Sequence, residues 1–256
     1  MNRALRMAVV LAAAGFAAGC ASVPRDPAAR AQFEANHDPL EPLNRKTFAF
    51  NEGLDRILIK PLAKGYLKVL PQGGRDAIRH FLDNLNEPIV FVNSVLQGRI
   101  HNAGTSVCRF VVNTTLGVAG FSDVASKNGL PRQLGDFGQT LWAWGLPDGP
   151  YLIIPLFGPS NPRDGIGTGV DMYIDPFRYV ARKQDFGSPV TVGRIVLDGV
   201  DKRSRNIESL DEVKREAIDY YASFRSLFRQ HRAAELRGTD NPAKLPSPDF
   251  YEDPGR

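Results

Sequence analysis

The sequence predicts an all-α protein folded as a single domain, and three observations carry that prediction. Apolar residues recur every three to four positions in several long segments, and no segment sustains the two-residue alternation of a half-buried strand. Glycine and proline, 24 and 19 in the chain, fall mainly between those segments. Of the two cysteines, Cys20 directly follows the N-terminal leader, where its thiol is expected to be acylated, so Cys108 is left alone and no intramolecular disulfide can form. Stability must come from packing or from lipid, and the central part of the chain is long enough for one sizeable core.

The first element is a secretory leader. Arg3 and Arg6 form a positive start, Met7 to Ala18 is a short run of small and apolar residues, and Ala17-Ala18-Gly19 precede Cys20. The run is too short to remain as a membrane-spanning helix. A cysteine directly after small residues at the cleavage point looks like a lipobox, with Ala17 standing where leucine is commoner; the competing reading is an ordinary secretory signal cut after an A-x-A-like site, with Cys20 incidental. Residues 1–19 are therefore expected to be removed and Cys20 to become the acylated first residue. Two or more acyl chains hold a protein stably at a membrane, whereas one holds it only marginally. Ala21 and Ser22 follow without an aspartate, so sorting to the outer membrane is expected. Residues 20–37 read as a tether, 38–237 as the helical domain, and 238–256, with Pro242, Pro246, Pro248 and Pro254 among charges, as a disordered tail.

Within the domain, Leu43, Thr47, Phe50, Leu54 and Leu58 form one stripe, which Pro61 is expected to end. Ile78, Phe81, Leu82 and Leu85 form a second, opposite Arg79, His80 and Asp83. Pro88 suits the first turn of a further helix, Ile89 to Gln97, apolar nearly all round, as in a segment that is buried or faces lipid. Arg99 to Leu116 is the clearest amphipath, with Ile100, Gly104, Val107 and Val111 on one face and Asn102, Ser106, Arg109 and Asn113 on the other. Ser188-Pro189 can start a helix through Val192, Ile195 and Val196. Ser209 and Glu212 have the spacing of a capping box before a long amphipath whose inward face is Leu210, Val213, Tyr220, Phe224, Leu227 and His231. Between these blocks, Gly117 to Val180 is rich in glycine and proline. Its most apolar run, Trp142 to Phe157, is broken by Pro155 and too short to span a bilayer, so it reads as a hairpin or loop packed on helices or dipped into lipid.

Catalytic and metal chemistry is not indicated. His37, His80, His101 and His231 are widely separated and match no metal-ligand spacing. Gly104-Thr-Ser-Val-Cys108 lacks the second glycine of a nucleophile elbow. Gly165-Ile-Gly167-Thr-Gly169 has no strand before it and reads as a flexible turn. Asp171, Asp175 and Asp185 read as solvated loop acids, and Cys108 as a buried structural thiol. Trp142, Trp144 and Tyr151 suit either a core or an interfacial belt. Loss of Arg3 and Arg6 with the leader halves the formal net charge of +4, and no basic cluster is interleaved with aromatics, so nucleic acid is not an expected partner.

A series of motifs then resembles the MlaA (VacJ) family of outer-membrane lipoproteins. They are Asp38-Pro-Leu-Glu-Pro-Leu-Asn-Arg45 with Phe48, Phe50 and Asn51; Asn86-Glu-Pro88 with Asn93; Arg109-Phe-Val-Val-Asn-Thr114 with Gly117; and Gly120-Phe-Ser-Asp-Val-Ala125. Asp136-Phe-Gly138 with Thr140-Leu141, Gly149-Pro-Tyr-Leu152 with Pro155, Gly158-Pro-Ser160, Arg163-Asp164, Asp219-Tyr-Tyr221, Arg225 and Arg229 continue the series to about Arg232. Single pieces are weak, but so many in order are specific.

The resemblance implies a ring-like helical protein with a central amphipathic channel, embedded in the inner leaflet of the outer membrane. It implies a non-enzymatic lipoprotein that associates with a trimeric porin. Mislocalised outer-leaflet phospholipids would pass through it to a periplasmic lipid carrier, preserving lipid asymmetry. No cofactor is implied beyond the acyl groups on Cys20. A porin-associated scaffold without lipid conduction is the competing reading, and a lipase with an unrecognised site a weaker third. In such a channel the polar face Asn102, Ser106, Arg109 and Asn113 is the candidate lining, with Arg109 suited to a phosphate headgroup. Gly145 and Gly149, bracketing Leu146-Pro147-Asp148, are candidate hinges of a gate that includes Pro150, Tyr151 and Pro155.

Overall fold

The computed structural model describes residues 38–182 and 187–238. Cys20, the leader, the tether, Asp185 and the tail beyond Gly238 lie outside the described residues. Helix α1 spans Glu41–Leu54, with Pro42 in its first turn and Glu41 at its positive end. It does not stop at the expected place. A π-helical turn, Asp55–Ile59, carries it directly into α2, Lys60–Val69. Pro61 falls in the first turn of α2, where a missing N–H costs least, and the wider turn before it absorbs the change of register.

Pro88 also departs from expectation. Helix α3 runs unbroken over Gln72–Leu96 with Pro88 inside it. The proline removes one backbone donor, but the segments on both sides are held by α4, Ile100–Thr115, the neighbour that α3 contacts most extensively. Gly98, with φ +72°, closes the short turn between them, and the two helices run antiparallel. Past α4, Val118 and Ala119 both adopt left-handed backbone, φ +53° and +56°, which is uncommon for a β-branched residue.

The glycine- and proline-rich middle is more helical than its composition suggests. It contains α5 (Val124–Lys127), α6 (Phe137–Ala143), α7 (Pro162–Ile174) and α8 (Pro176–Arg182). Asp123, Asp136 and Asn161 cap the first three of these through side-chain oxygens that accept backbone N–H bonds. Between α6 and α7 lies the expected hairpin, an antiparallel pair of β1 (Leu152–Ile154) and β2 (Gly158–Ser160) in the register Leu152↔Ser160. The Gly165–Gly169 segment is not a turn but part of α7. A Cβ on Gly167 would lie 2.3 Å from the backbone nitrogen of Gly138, so these glycines let α6 and α7 touch backbone to backbone.

The C-terminal half holds α9 (Gly187–Arg205), α10 (Ile207–Glu216) and α11 (Tyr220–Gly238). No capping box forms at Ser209, because α10 already starts at Ile207 after Asn206. The expected long amphipath is broken at Ala217–Asp219, and Tyr221, Arg225 and Leu236 are the buried members of α11. Helix α9 packs on α2, α3 and α8, joining the two ends of the chain. The compact aromatic core consists of Tyr151, Ile153 and Tyr221, flanked by Phe48 and Phe228.

Candidate lipid-facing site and its polar framework

Burial in this molecule is inverted. Among the described residues 20 polar or charged side chains are buried against 14 hydrophobic ones, and 30 large hydrophobic side chains are exposed. Exposed apolar patches of this extent mark membrane or partner contacts. Many of them cluster. Phe91, Val92, Val95 and Leu96 stand on the last turns of α3, and Ile100, Val107, Phe110 and Val111 along the outside of α4. Leu116, Val118 and Phe121 follow at its tip, with Val118 73% exposed. Trp142 in the last turn of α6, with Trp144 and Leu146 just past it, continues the exposed set.

The two faces assigned to α4 from sequence are therefore the right faces turned the opposite way. Its apolar face looks outward, and its polar face is packed inside. Ser106 is 0% and Arg109 1% exposed, Asn113 is buried and Asn102 half-buried. This corrects the expectation that Asn102, Ser106, Arg109 and Asn113 border open, water-filled space: in the folded chain they hold helices together. Arg109 Nε donates to Glu87 Oε1 at 2.6 Å, Nη2 to Asp123 at 3.2 Å, and Nη1 to Ser126 Oγ and the Leu130 carbonyl. Asn113 donates to Asp123 and accepts from the Ala125 N–H. Donors from Ser126 and Asn113 and the guanidinium of Arg109 outweigh burial and hold the Asp123 carboxyl at about 2. Burial outweighs Arg109 at Glu87 and pushes that carboxyl above its usual range.

The hairpin is fixed by two asparagines one side of α1 apart. Asn44 Nδ2 donates to the Tyr151 carbonyl at 2.9 Å and Asn44 Oδ1 accepts from the Ile153 N–H at 2.9 Å. Asn51 repeats the pattern with the Ile154 carbonyl and the Leu156 N–H. Asn44 also donates to buried Asp38, which accepts from Tyr221 and from Arg225. Of the candidate hinge residues, Tyr151 is therefore locked in the core, and Pro155 lies in the hairpin turn. Gly145 (φ +89°) has open space where a Cβ would stand, while a Cβ on Gly149 (φ +74°) would lie 3.3 Å from the Pro162 ring. The arm before the turn is exposed and the arm after it is clamped.

A third cluster joins α3, α6, α7 and α11. Arg232 bonds both Asp136 and Asp164, and Asp164 in turn bonds Asn161. Asp171, expected to be a solvated loop acid, is held inside the protein by the Phe137 N–H at 2.9 Å and Asn93 Nδ2 at 2.8 Å. Burial pushes it up to about 6. Asp175 is likewise engaged, capping α8 and pairing with Arg194. Cys108 is exposed rather than buried. Among the described residues no group of histidines, cysteines and acids could hold a metal, and no helix is long and apolar enough to cross a membrane.

Sequence reasoning missed Asn44, Glu87, Asp123, Asp136, Asp164 and Arg232 as organising residues. Their signal was present: where the outer face of a helix is apolar and exposed, its polar stripe is the inward one, so polar residues at helical spacing should be sought as partners.

Comparison with known proteins agrees with this geometry. Residues 36–235 match the family model described as MlaA lipoprotein. The intermembrane phospholipid transport system lipoprotein MlaA of Escherichia coli (strain K12) is 32% identical over 93% of this chain and 93% of its own length. The Haemophilus influenzae protein of the same name is 32% identical over 78% and 79%. An uncharacterised protein of Rickettsia felis is 35% identical over 83% of this chain. A solved chain from work on the structural basis for maintenance of bacterial outer membrane lipid asymmetry superposes with a TM-score of 0.66 at 32% identity, covering 75% of this chain and 96% of that one. This chain belongs to the MlaA lipoprotein family.

Proposed function

We propose that this protein is the outer-membrane lipoprotein of an intermembrane phospholipid transport system and maintains the lipid asymmetry of the outer membrane without catalysing a reaction. The single observation that supports this most directly is the inverted burial. A chain that turns valines, leucines and tryptophans outward and closes ion pairs inside is built to sit among acyl chains. The family relationship supplies the rest, since the E. coli relative is by name a lipoprotein of such a system. Cys20 carries the anchor, the periplasmic leaflet is the site of residence, and phospholipid, a trimeric porin and a periplasmic lipid carrier are the partners.

A ring enclosing a lipid path remains part of this reading, with its gate at the turn after α6. The segment Leu146–Asp148 swings on Gly145, while Trp142 stays in α6, Trp144 is held by its indole N–H on the Leu96 carbonyl, and Gly149, Pro150, Tyr151 and Pro155 stay with the clamped hairpin. Proline at Gly145 or Gly149 is a poor probe, because both have positive φ and proline requires about −65°. Asparagine at Gly145 tolerates that backbone and adds stiffness. A deletion strain should accumulate phospholipid in the outer leaflet, and the parent gene should reverse this. Gly145→Asn should reach the outer membrane and correct the defect only partly. A deletion strain with normal asymmetry would favour the scaffold reading, and full activity of Gly145→Asn would remove the hinge.

A further inference from the structure

The buried ion-pair cluster between α3 and α4 has a charge left over. Glu87 and Asp123 share the single cation Arg109. Glu87 is 3% exposed, and only its Oε1 is bonded; Oε2 has no partner, and neither does the Oγ of buried Ser106. Ser106 lies near enough to favour the charged carboxylate but makes no hydrogen bond to it. A buried carboxylate oxygen without a donor costs several kcal/mol unless something supplies one.

Glu87 also lines a cavity of about 40 Å³ between α3 and the 132–135 segment. Asp83, Asn86 and Glu87 lie three and four residues apart, hence on one helix face, and Gln133 stands opposite. At the edge Arg132, 50% exposed on its side chain, pairs with Asp83 at 2.7 Å. The space suits one group the size of a water molecule or a primary ammonium. It is too small for a hydrated divalent ion, which needs six or more oxygens. An anionic oxygen inside and a guanidinium at the mouth are together complementary to a zwitterion with its amine leading and its phosphate behind. Arg132 is half in solvent and able to exchange Asp83 for a phosphate, for which its fork is suited.

We propose that this cavity is a headgroup subsite that takes the ammonium of an aminoethyl phosphate on Glu87 Oε2 while Arg132 meets the phosphate. The inference rests on the phospholipid reading above and adds to it a preference for amine-bearing, zwitterionic headgroups. The same ammonium chemistry could be met by a free small amine, and the test separates the two sources.

The purified full-length protein in detergent is titrated with dihexanoyl phosphatidylethanolamine, dihexanoyl phosphatidylglycerol and methylammonium chloride, with tryptophan fluorescence and calorimetry as readouts. The ethanolamine lipid should bind saturably, and Glu87→Gln and Arg132→Ala should each weaken it by about tenfold or more, as expected for one lost charge-assisted bond. The glycerol lipid should be insensitive to Glu87→Gln. Arg132→Ala lies at the surface, so its loss of binding cannot be ascribed to unfolding. Equal binding of both lipids, or unchanged binding in both variants, overturns the subsite. Methylammonium binding that matches the ethanolamine lipid and ignores Arg132→Ala also overturns it, in favour of a plain amine site. A deletion strain with normal outer-leaflet phospholipid would instead overturn the transport reading, whatever the titrations give.

Discussion

At the scale of single residues, charge inside the protein carries most of the specificity. Arg109 neutralises Glu87 and bridges to Asp123, Ser126 and Leu130, linking α3, α4 and α5. Removing it strands the buried Glu87 carboxylate and takes one of several partners from half-buried Asp123, and breaking a buried pair in this way typically costs about 3–5 kcal/mol. Arg109→Ala should therefore lower the unfolding midpoint in detergent sharply, and Arg109→Lys should recover only part, because a point charge cannot serve four acceptors in a fixed fork. An unchanged midpoint for Arg109→Ala would mean the pair contributes nothing net. Asp171 gives a pH signature. Burial raises it from 3.8 to about 6, against the two hydrogen bonds it accepts and with Asp136 repelling and Arg232 attracting it. In that window the folded chain binds more protons than the unfolded one, so the contribution of Asp171 to stability falls as pH rises and is flat above about 6. Asp123, held at about 2, behaves in the opposite sense: its contribution is complete above 3.8 and lost as pH falls below it. The stability of the parent relative to Asp171→Asn should decline between pH 4 and pH 6 and stay level from there to pH 8, roughly. A flat difference throughout would show that the acid titrates normally.

Among the elements, glycine determines how closely helices approach. Helices α6 and α7 meet where Gly138 and Gly167 lie back to back, and any side chain at Gly167 enters the backbone of Phe137 and Gly138. Gly167→Ala should cost about 1–3 kcal/mol or more by forcing the pair apart, and it should also loosen the Arg232 cluster above them. Gly169→Ala in the same helix has open space around it and should stabilise by up to about 1 kcal/mol, because alanine is the better helix former. Equal stability of the two variants, measured by thermal unfolding, would refute the close approach. The hairpin illustrates a different device. Its backbone bonds to Asn44 and Asn51 hold a short two-stranded piece that is too small to persist unaided.

For the whole molecule, the proposed anchor at Cys20 and the exposed apolar surface would be two separate attachments to a membrane. With 30 large apolar side chains outward, contact with acyl chains is worth on the order of tens of kcal/mol at about 25 cal/mol per Å². A chain exported behind a leader without a lipobox should still sediment with membranes, resist high salt, and enter solution only with detergent. Recovery as a monodisperse protein in the detergent-free periplasmic fraction would show that the acyl chains alone hold it.

Periodicity was enough to identify α1, α3, α4, α9 and the helical C-terminal stretch, and the two faces of α4, because those depend on neighbours three or four residues away; α2 and the four helices of the glycine- and proline-rich middle gave no such stripe. The family could also be read from the ordered motifs. The direction each face turns was not local information: apolar-in is the rule in water and fails where lipid is the solvent. Nor could spacing show that Glu87 would meet Arg109, that Asn44 would clamp a hairpin over a hundred residues on, or that Gly167 would touch Gly138. Proline misled at Pro61 and Pro88, where a π-helical turn and the packing of α3 on α4 carry the helix past the missing donor. The long amphipathic helices followed from the sequence alone; their partners, and which of their faces is left exposed, were decided by tertiary packing, since a buried charge is tolerable only where another part of the chain supplies its counterpart.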